Sequence, residues 1–171
     1  MKKIVLLSDT HGYLDPALFD HFEHCDEIWH AGDIGSVEIV DQLEQFRPCR
    51  IVYGNIDSHQ VRIRTSENQL FEAGGLRVWI THIGGYPPRY NPQVKRALKA
   101  DTPDIFICGH SHVLRVMRDP ALSQMLYINP GAAGREGFHH VRTALKFIID
   151  EGKVKDMAVI ELGKRGAIEP S

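Results

Sequence analysis

Apolar positions along the 171-residue chain follow two rhythms. Short unbroken runs, KKIVLLS (2–8), EIWHA (27–31), RIVYG (50–54) and DIFICGH (104–110), read as buried strands. Between them, PALFDHFEH (16–24), SVEIVDQLEQF (36–46) and NPQVKRALKA (91–100) repeat their apolar residues at helical spacing. Asp15 is placed to cap the first helix, with Pro16 at its first position. Ser36 is placed to cap the second, with Glu38 in its first turn. NQLFEA (68–73) and LRVWITH (76–82), joined by Gly74-Gly75, predict a hairpin. VLRVMRD, QMLYIN, VRTALKFIID and KVKDMAVIEL read as mostly β, with a second hairpin turn at Glu151-Gly152. A βαβα start followed by antiparallel strands predicts a layered α/β protein with two sheets rather than one doubly wound sheet. No repeat, low-complexity tract or linker divides the chain, so a single domain over 1–171 is expected.

The polar residues that stop these strands form a pattern of their own. Asp9 and His11 follow the first run and Asp33 follows the second. Asn55 and Asp57 follow the third, His82 ends LRVWIT, and His110 and His112 follow DIFICG. In open α/β sheets the carboxyl edge is where ligands bind. Extended residues at i and i+2 point the same way, so Asp9-x-His11 and His110-x-His112 each offer two groups to one side. Taken singly, Asp9 or Asp33 is equally a turn or cap residue, Gly54-Asn55 a plain turn, and the histidine pair a hydrogen-bonded strand end. Taken together, four histidines, two or three carboxylates and an amide exceed the needs of one ion. They suit two divalent ions sharing a carboxylate. Mixed imidazole and oxygen donors favour Mn²⁺, Fe²⁺, Co²⁺, Ni²⁺ or Zn²⁺ over Ca²⁺ or Mg²⁺. Two such ions about 3.5–4 Å apart supply hydroxide at neutral pH and clamp phosphoryl oxygens. With two aspartates and one hydroxide the centre carries roughly +1, so it attracts a phosphate ester. It does so although the chain's net charge is −2.

In this order, SDTHG (8–12), GDIGS (32–36), GNID (54–57), TH (81–82) and GHSH (109–112) resemble the calcineurin-like metallophosphoesterases. The likeness is greatest to their small single-domain bacterial and archaeal phosphodiesterase branch, and it continues through INPG (128–131). The resemblance implies a four-layer α/β/β/α sandwich with two mixed β-sheets. It implies that Asp9, His11 and His112 hold one ion, that Asn55, His82 and His110 hold a second, and that Asp33 bridges both. Asp33, Asn55, His82 and His110 are then also the expected catalytic set. The implied activity is hydrolysis of small or activated phosphodiesters through a metal-activated hydroxide, with Mn²⁺ the leading metal and Ni²⁺, Zn²⁺, Fe²⁺ or Co²⁺ the alternatives.

Two positions depart from that pattern. Many relatives read GNHE or GNHD, and their histidine, which assists the leaving group, is Ile56 here. A missing general acid forgoes about 10²–10⁴ in rate, so activated diesters are expected to outrun alkyl monoesters. Relatives often read HGH where this chain reads HIGG, which puts only an outer contact, at Gly84, in question. Asp57 reads as an orienting residue or a turn residue, and His59 as a candidate replacement acid. Arg135 and Arg89 are candidate phosphate contacts or plain surface arginines, and YPPRYNP (86–92) is a wall over the site or a surface crossing. His21, His24, His30, His139 and His140 read as surface or satisfied core residues.

Composition narrows the partners. There is no basic stripe, so extended nucleic-acid binding is not expected. No run approaches the ~20 apolar residues of a membrane span, and IVLLS is too short for a signal core. Cys25, Cys49 and Cys108 are odd in number with no CxxC spacing, as in a reduced protein, so a cytoplasmic location is expected. The expected partner is a small phosphate-ester substrate, and the resemblance adds a homodimer or tetramer. The alternative is a catalytically weak, metal-binding interaction scaffold, because a retromer subunit of this fold docks partners through a degenerate site. All seven ligand positions are intact here, which favours an enzyme.

Overall fold

A computed structural model describes Met1–Gly166; residues 167–171, the end of the expected domain, lie outside the described residues. In chain order the elements are β1 (Lys2–Leu7), α1 (Leu18–Glu23), β2 (Glu27–His30), α2 (Val37–Phe46), β3 (Cys49–Ile51), α3 (His59–Arg64), β4 (Asn68–Ala73) and β5 (Leu76–Thr81). They continue with β6 (Gly85–Tyr86), β7 (Arg89–Tyr90), α4 (Pro92–Ala100), β8 (Ile105–Ile107), β9 (Leu114–Asp119), β10 (Met125–Pro130), β11 (Val141–Asp150) and β12 (Lys153–Lys164).

Two five-stranded mixed sheets result, ordered β12-β11-β1-β2-β3 and β4-β5-β8-β10-β9. Each contains three adjacent parallel strands, β1-β2-β3 running to one edge of the first sheet and β5-β8-β10 central in the second. The unbroken apolar runs follow from burial on both faces. In β1, Ile4 and Leu6 face the other sheet, while Val5 and Leu7 face the helices. Trp29, Ile80, Ile107, Ile128 and Phe147 join Ile4 and Leu6 between the sheets. Helices α1, α2 and α3 cover the first sheet through Leu18, Phe22, Val40, Leu43 and Val61. Helix α4 covers the second by packing Val94 and Leu98 against Phe106 and Tyr127. This is the expected α/β/β/α sandwich.

The differences from expectation are local. Helix α1 begins at Leu18 rather than Pro16: Asp15 accepts from the Ala17 N–H at 2.9 Å with its side chain and from Leu18 N–H at 3.0 Å with its carbonyl. The resulting turn takes the place of the first helical turn. Ser36 sits at the N-cap of α2, but its side chain makes no capping bond. RIVYG and DIFICGH supply only the short strands β3 and β8 before the backbone turns. Helix α3 was not expected; HQVRIR buries only Val61 and has little apolar period, although Ser58 caps it from Val61 N–H at 3.4 Å. The YPPRY segment folds as the β6–β7 hairpin. Its Tyr90 is buried and donates to Asp119 at 2.6 Å, pinning the hairpin to the second sheet.

Candidate metal centre

The parallel strands of both sheets end on one edge. Asp9 and His11 follow β1, Asp33 follows β2, Asn55 follows β3, His82 follows β5, and His110 and His112 follow β8. Five of these seven residues have left-handed backbones, with φ of 54° at Asp9, 47° at His11, 56° at Asp33, 69° at His110 and 63° at His112. Non-glycine residues seldom adopt this region, and each such residue costs on the order of 1–3 kcal/mol. Interlocked loops hold it: Asp9 N–H donates to Gly32 O at 2.9 Å, His11 N–H to Asp33 O at 3.0 Å, and Gly12 N–H to Ile34 O at 2.8 Å. At Gly109 the loop after β8 leaves no room for a side chain, since a Cβ there would lie 2.2 Å from Ser8 Oγ.

The sharp turns aim the side chains at a common space. Asp9, His11 and His112 form one group whose donor atoms lie within 4.8 Å of one another, and Asp33, His82 and His110 form a second. Asp33 Oδ2 faces both groups, 3.4 Å from His11 Nε2 and 3.3 Å from His82 Nε2. Asn55 Oδ1 lies 3.1 Å from His110 Nδ1, beside the second group. Outer partners orient the donors. His82 Nδ1–H donates to Ala31 O at 2.7 Å, which turns the bare Nε2 inward. Asp9 Oδ2 accepts from Ser8 Oγ at 2.6 Å and from His110 N–H at 3.1 Å, which leaves Oδ1 for the interior. Three buried polar atoms have no hydrogen-bond partner among the described residues: Asp9 Oδ1, His11 Nε2 and His82 Nε2. An unmet buried polar atom costs roughly 1–3 kcal/mol. Divalent cations at this point would satisfy all three, and imidazole with carboxylate is a donor set such cations accept. The residues therefore fit a two-ion centre.

Electrostatics agree. Burial works to raise the pKa values of Asp9 and Asp33, yet the surrounding imidazoles win and hold both carboxyls well below the usual range. His11 is pushed up to about 10, first by its contact with Asp33 and then by Asp9. His82 is shifted upward as well: burial opposes the charge, but Asp33 and Asp9 outweigh it. The cluster draws positive charge to its centre.

The other candidate residues separate. Asp57 is buried and its carboxylate accepts from Ile34 N–H at 3.1 Å and from Gly35 N–H and Gly54 N–H, each at 2.8 Å. It joins the Asp33 loop to the Asn55 loop. His59 opens α3 and is exposed. Arg135 stacks its guanidinium 4.2 Å above the Tyr13 ring. Arg89 is exposed in β7. The Ile56 side chain is exposed, and its N–H donates to Asp33 Oδ1 at 3.1 Å.

Three supporting residues escape a reading of spacing. His30 is fully buried; its Nδ1 accepts from Gly32 N–H at 3.0 Å. Thr10 Oγ1 gives its proton to Ile34 O at 2.8 Å, so the 3.0 Å contact to His30 Nε2 is a bond donated by His30. Burial pushes the His30 imidazole down to about 4, and as a neutral ring it braces the Asp9 and Asp33 loops. Asn129 donates to Gly109 O at 3.1 Å and Ser111 Oγ at 3.0 Å, holding the loop that carries His110 and His112. Its only sequence signal is the INPG motif. His139 lies against His112, with no signal in its own neighbourhood.

The chain is similar to known proteins along most of its length. Residues 1–152 match the calcineurin-like phosphoesterase superfamily domain. A probable metallophosphoesterase of Methanothermobacter thermautotrophicus is 36% identical over 135 residues, covering 75% of this chain and 76% of that protein. Among solved structures, one described as a novel archaeal phosphodiesterase superposes with a TM-score of 0.68 at 21% identity, covering 92% of this chain and 99% of that one. Wild-type Vps29 from Entamoeba histolytica, complexed with Zn²⁺, gives 0.71 at 17% identity, covering 93% and 98%. These two likenesses show the fold. The match over residues 1–152, with the relative that is 36% identical over the aligned three quarters of the chain, places the chain in the calcineurin-like phosphoesterase superfamily.

Proposed function

We propose that this chain is a dinuclear metal-dependent phosphoesterase acting on small, activated phosphodiesters. The observation that carries the reading is the convergence of Asp9 Oδ1, His11 Nε2 and His82 Nε2, buried and unpartnered, on one space. Asp9, His11 and His112 would hold one ion, Asn55, His82 and His110 the other, and Asp33 would join them. Bound there, two divalent ions supply charge for the phosphoryl oxygens and a more acidic water. Mn²⁺ is the first metal to test, with Ni²⁺, Zn²⁺, Fe²⁺ and Co²⁺ behind it.

The protein's own contribution is placement. His82 is locked by Ala31 O, and Asp9 by Ser8 and His110 N–H. No side chain donates a proton from position 56, because Ile56 offers only an N–H that Asp33 already accepts. The leaving group then departs without help from position 56, which favours good leaving groups.

A second reading has its own support. Ile56 and Ile83 each follow a proposed ligand and are 46% and 40% exposed, and Phe138 is 99% exposed. Exposed apolar side chains around the centre suit a docking scaffold. One experiment separates the two. Metal-stripped protein is given each ion in turn and assayed on an activated aryl phosphodiester and on a simple alkyl monoester. The enzyme reading expects ion-restored diester turnover, with Asp33→Ala and His110→Ala each lowering it more than about 100-fold, beyond the loss of an outer partner. Equal efficiency on the alkyl monoester would refute the leaving-group argument, and silence with every metal would favour the scaffold.

A further inference from the structure

The segment between β10 and β11, residues 131–140, supplies none of the proposed ligands, yet it touches all three members of the first group. Gly134 N–H donates to Asp9 O at 3.1 Å. The exposed Glu136 brings Oε2 to 3.6 Å from His11 Nδ1. His139 is buried and sets its Nδ1 3.3 Å from His112 Nδ1, with the two rings edge-on at 5.1 Å between centroids.

The proton positions across this contact follow from His139's other nitrogen. Nε2 lies 2.8 Å from Gly134 O, a pure acceptor, so it must carry the hydrogen. Burial favours the neutral ring. His139 Nδ1 is therefore a bare lone pair. The contact with His112 can then be a hydrogen bond only if His112 Nδ1–H donates. In the neutral His112 ring this tautomer presents the lone pair of Nε2, 3.1 Å from Asp9 Oδ1, to an ion. The backbone passes close enough to require glycine: a Cβ at Gly137 would lie 2.1 Å from His112 Nδ1. The second group is oriented by other partners, Ala31 O for His82 and Ile56 N–H for Asp33.

We propose that residues 131–140 form a positioning strap for one ion of the pair, with His139 fixing the tautomer of His112 and Glu136 steadying His11. The strap sets the affinity of the first ion and leaves the second to the Ala31 and Ile56 contacts. The inference rests on the two-ion reading above.

The test is a calorimetric titration of metal-free protein with Zn²⁺ or Mn²⁺, in wild type, His139→Leu and His139→Asn. Nitrogen NMR of His112 reports the tautomer directly. We expect His139→Leu to weaken one ion about 10–100-fold and to leave the other within about threefold. His139→Asn keeps an acceptor oxygen near the Nδ1 position and should recover most of the loss. Metal-free wild type should show His112 protonated at Nδ1, and His139→Leu should lose that preference. Wild-type affinity for both ions in His139→Leu would overturn the proposal. So would equal weakening of both ions with the melting transition intact, or an Asn variant no better than Leu, which would mean packing alone. A wild type that binds fewer than two ions would sink the two-ion reading and the strap with it. Two ions bound by the wild type and unaltered by His139→Leu would remove the strap alone.

Discussion

At the scale of single residues, the centre concentrates costs that stability alone would not retain. Left-handed backbones at Asp9, His11, Asp33, His110 and His112 are strained for any side chain. Glycine tolerates that region, so replacing the exposed His110 by glycine or alanine separates strain from chemistry. Metal-free His110→Gly should be more stable than His110→Ala by about 1 kcal/mol, read from denaturant midpoints, while both lack turnover. An alanine variant as stable as the glycine one would show that the loop relaxes. His30 gives a pH dependence whose sign is fixed. Its folded value is pushed down from 6.5 to about 4 by burial, so the unfolded chain binds the proton first as pH falls. The stability it supports is complete above pH 6.5 and drains away down to about 4. His30→Asn should flatten the stability profile across that window, and an unchanged slope would place the acid sensitivity elsewhere.

At the scale of elements, the centre depends on how strand ends are tied together. Asp57 accepts three N–H groups from two loops, and an asparagine there would set its own NH₂ against one of them. Asp57→Asn is expected to cost about 1–3 kcal/mol of stability and 10–100-fold in metal affinity, measured by melting and by metal titration. Intact affinity would reduce Asp57 to a turn residue. The strand ends were legible in the sequence because β1, β2, β5 and β8 are apolar up to an abrupt polar residue, and parallel strands share one carboxyl edge. Asp9, Asp33, His82 and His110 could therefore be assembled without coordinates. Helix α3 could not, since HQVRIR buries a single residue. Nor could the role of His139, which depends on a contact across 27 residues of chain. Nor could the stacking of Arg135 on Tyr13, a contact across 122 residues of chain that leaves the in-plane N–H donors of the guanidinium free of the ring.

At the scale of the molecule, the first sheet contributes Asp9, His11, Asp33 and Asn55, and the second contributes His82, His110 and His112. Ions held between them would tie the two halves of the sandwich together. Chelation should lower the melting temperature by roughly 10–20 °C when both sites were filled by metal at about 100 times its dissociation constant. A melting point indifferent to chelator would mean the sheets hold the site without help. The family accounts for phosphoesterase chemistry as a class, and the claim most particular to this chain is that two ions act together. The most direct measurement is the rate of aryl phosphodiester hydrolysis by metal-stripped protein as Mn²⁺ is added in counted equivalents. The account predicts little turnover at one ion per chain and a plateau at two. A plateau at one, or two ions bound with no turnover, would contradict it.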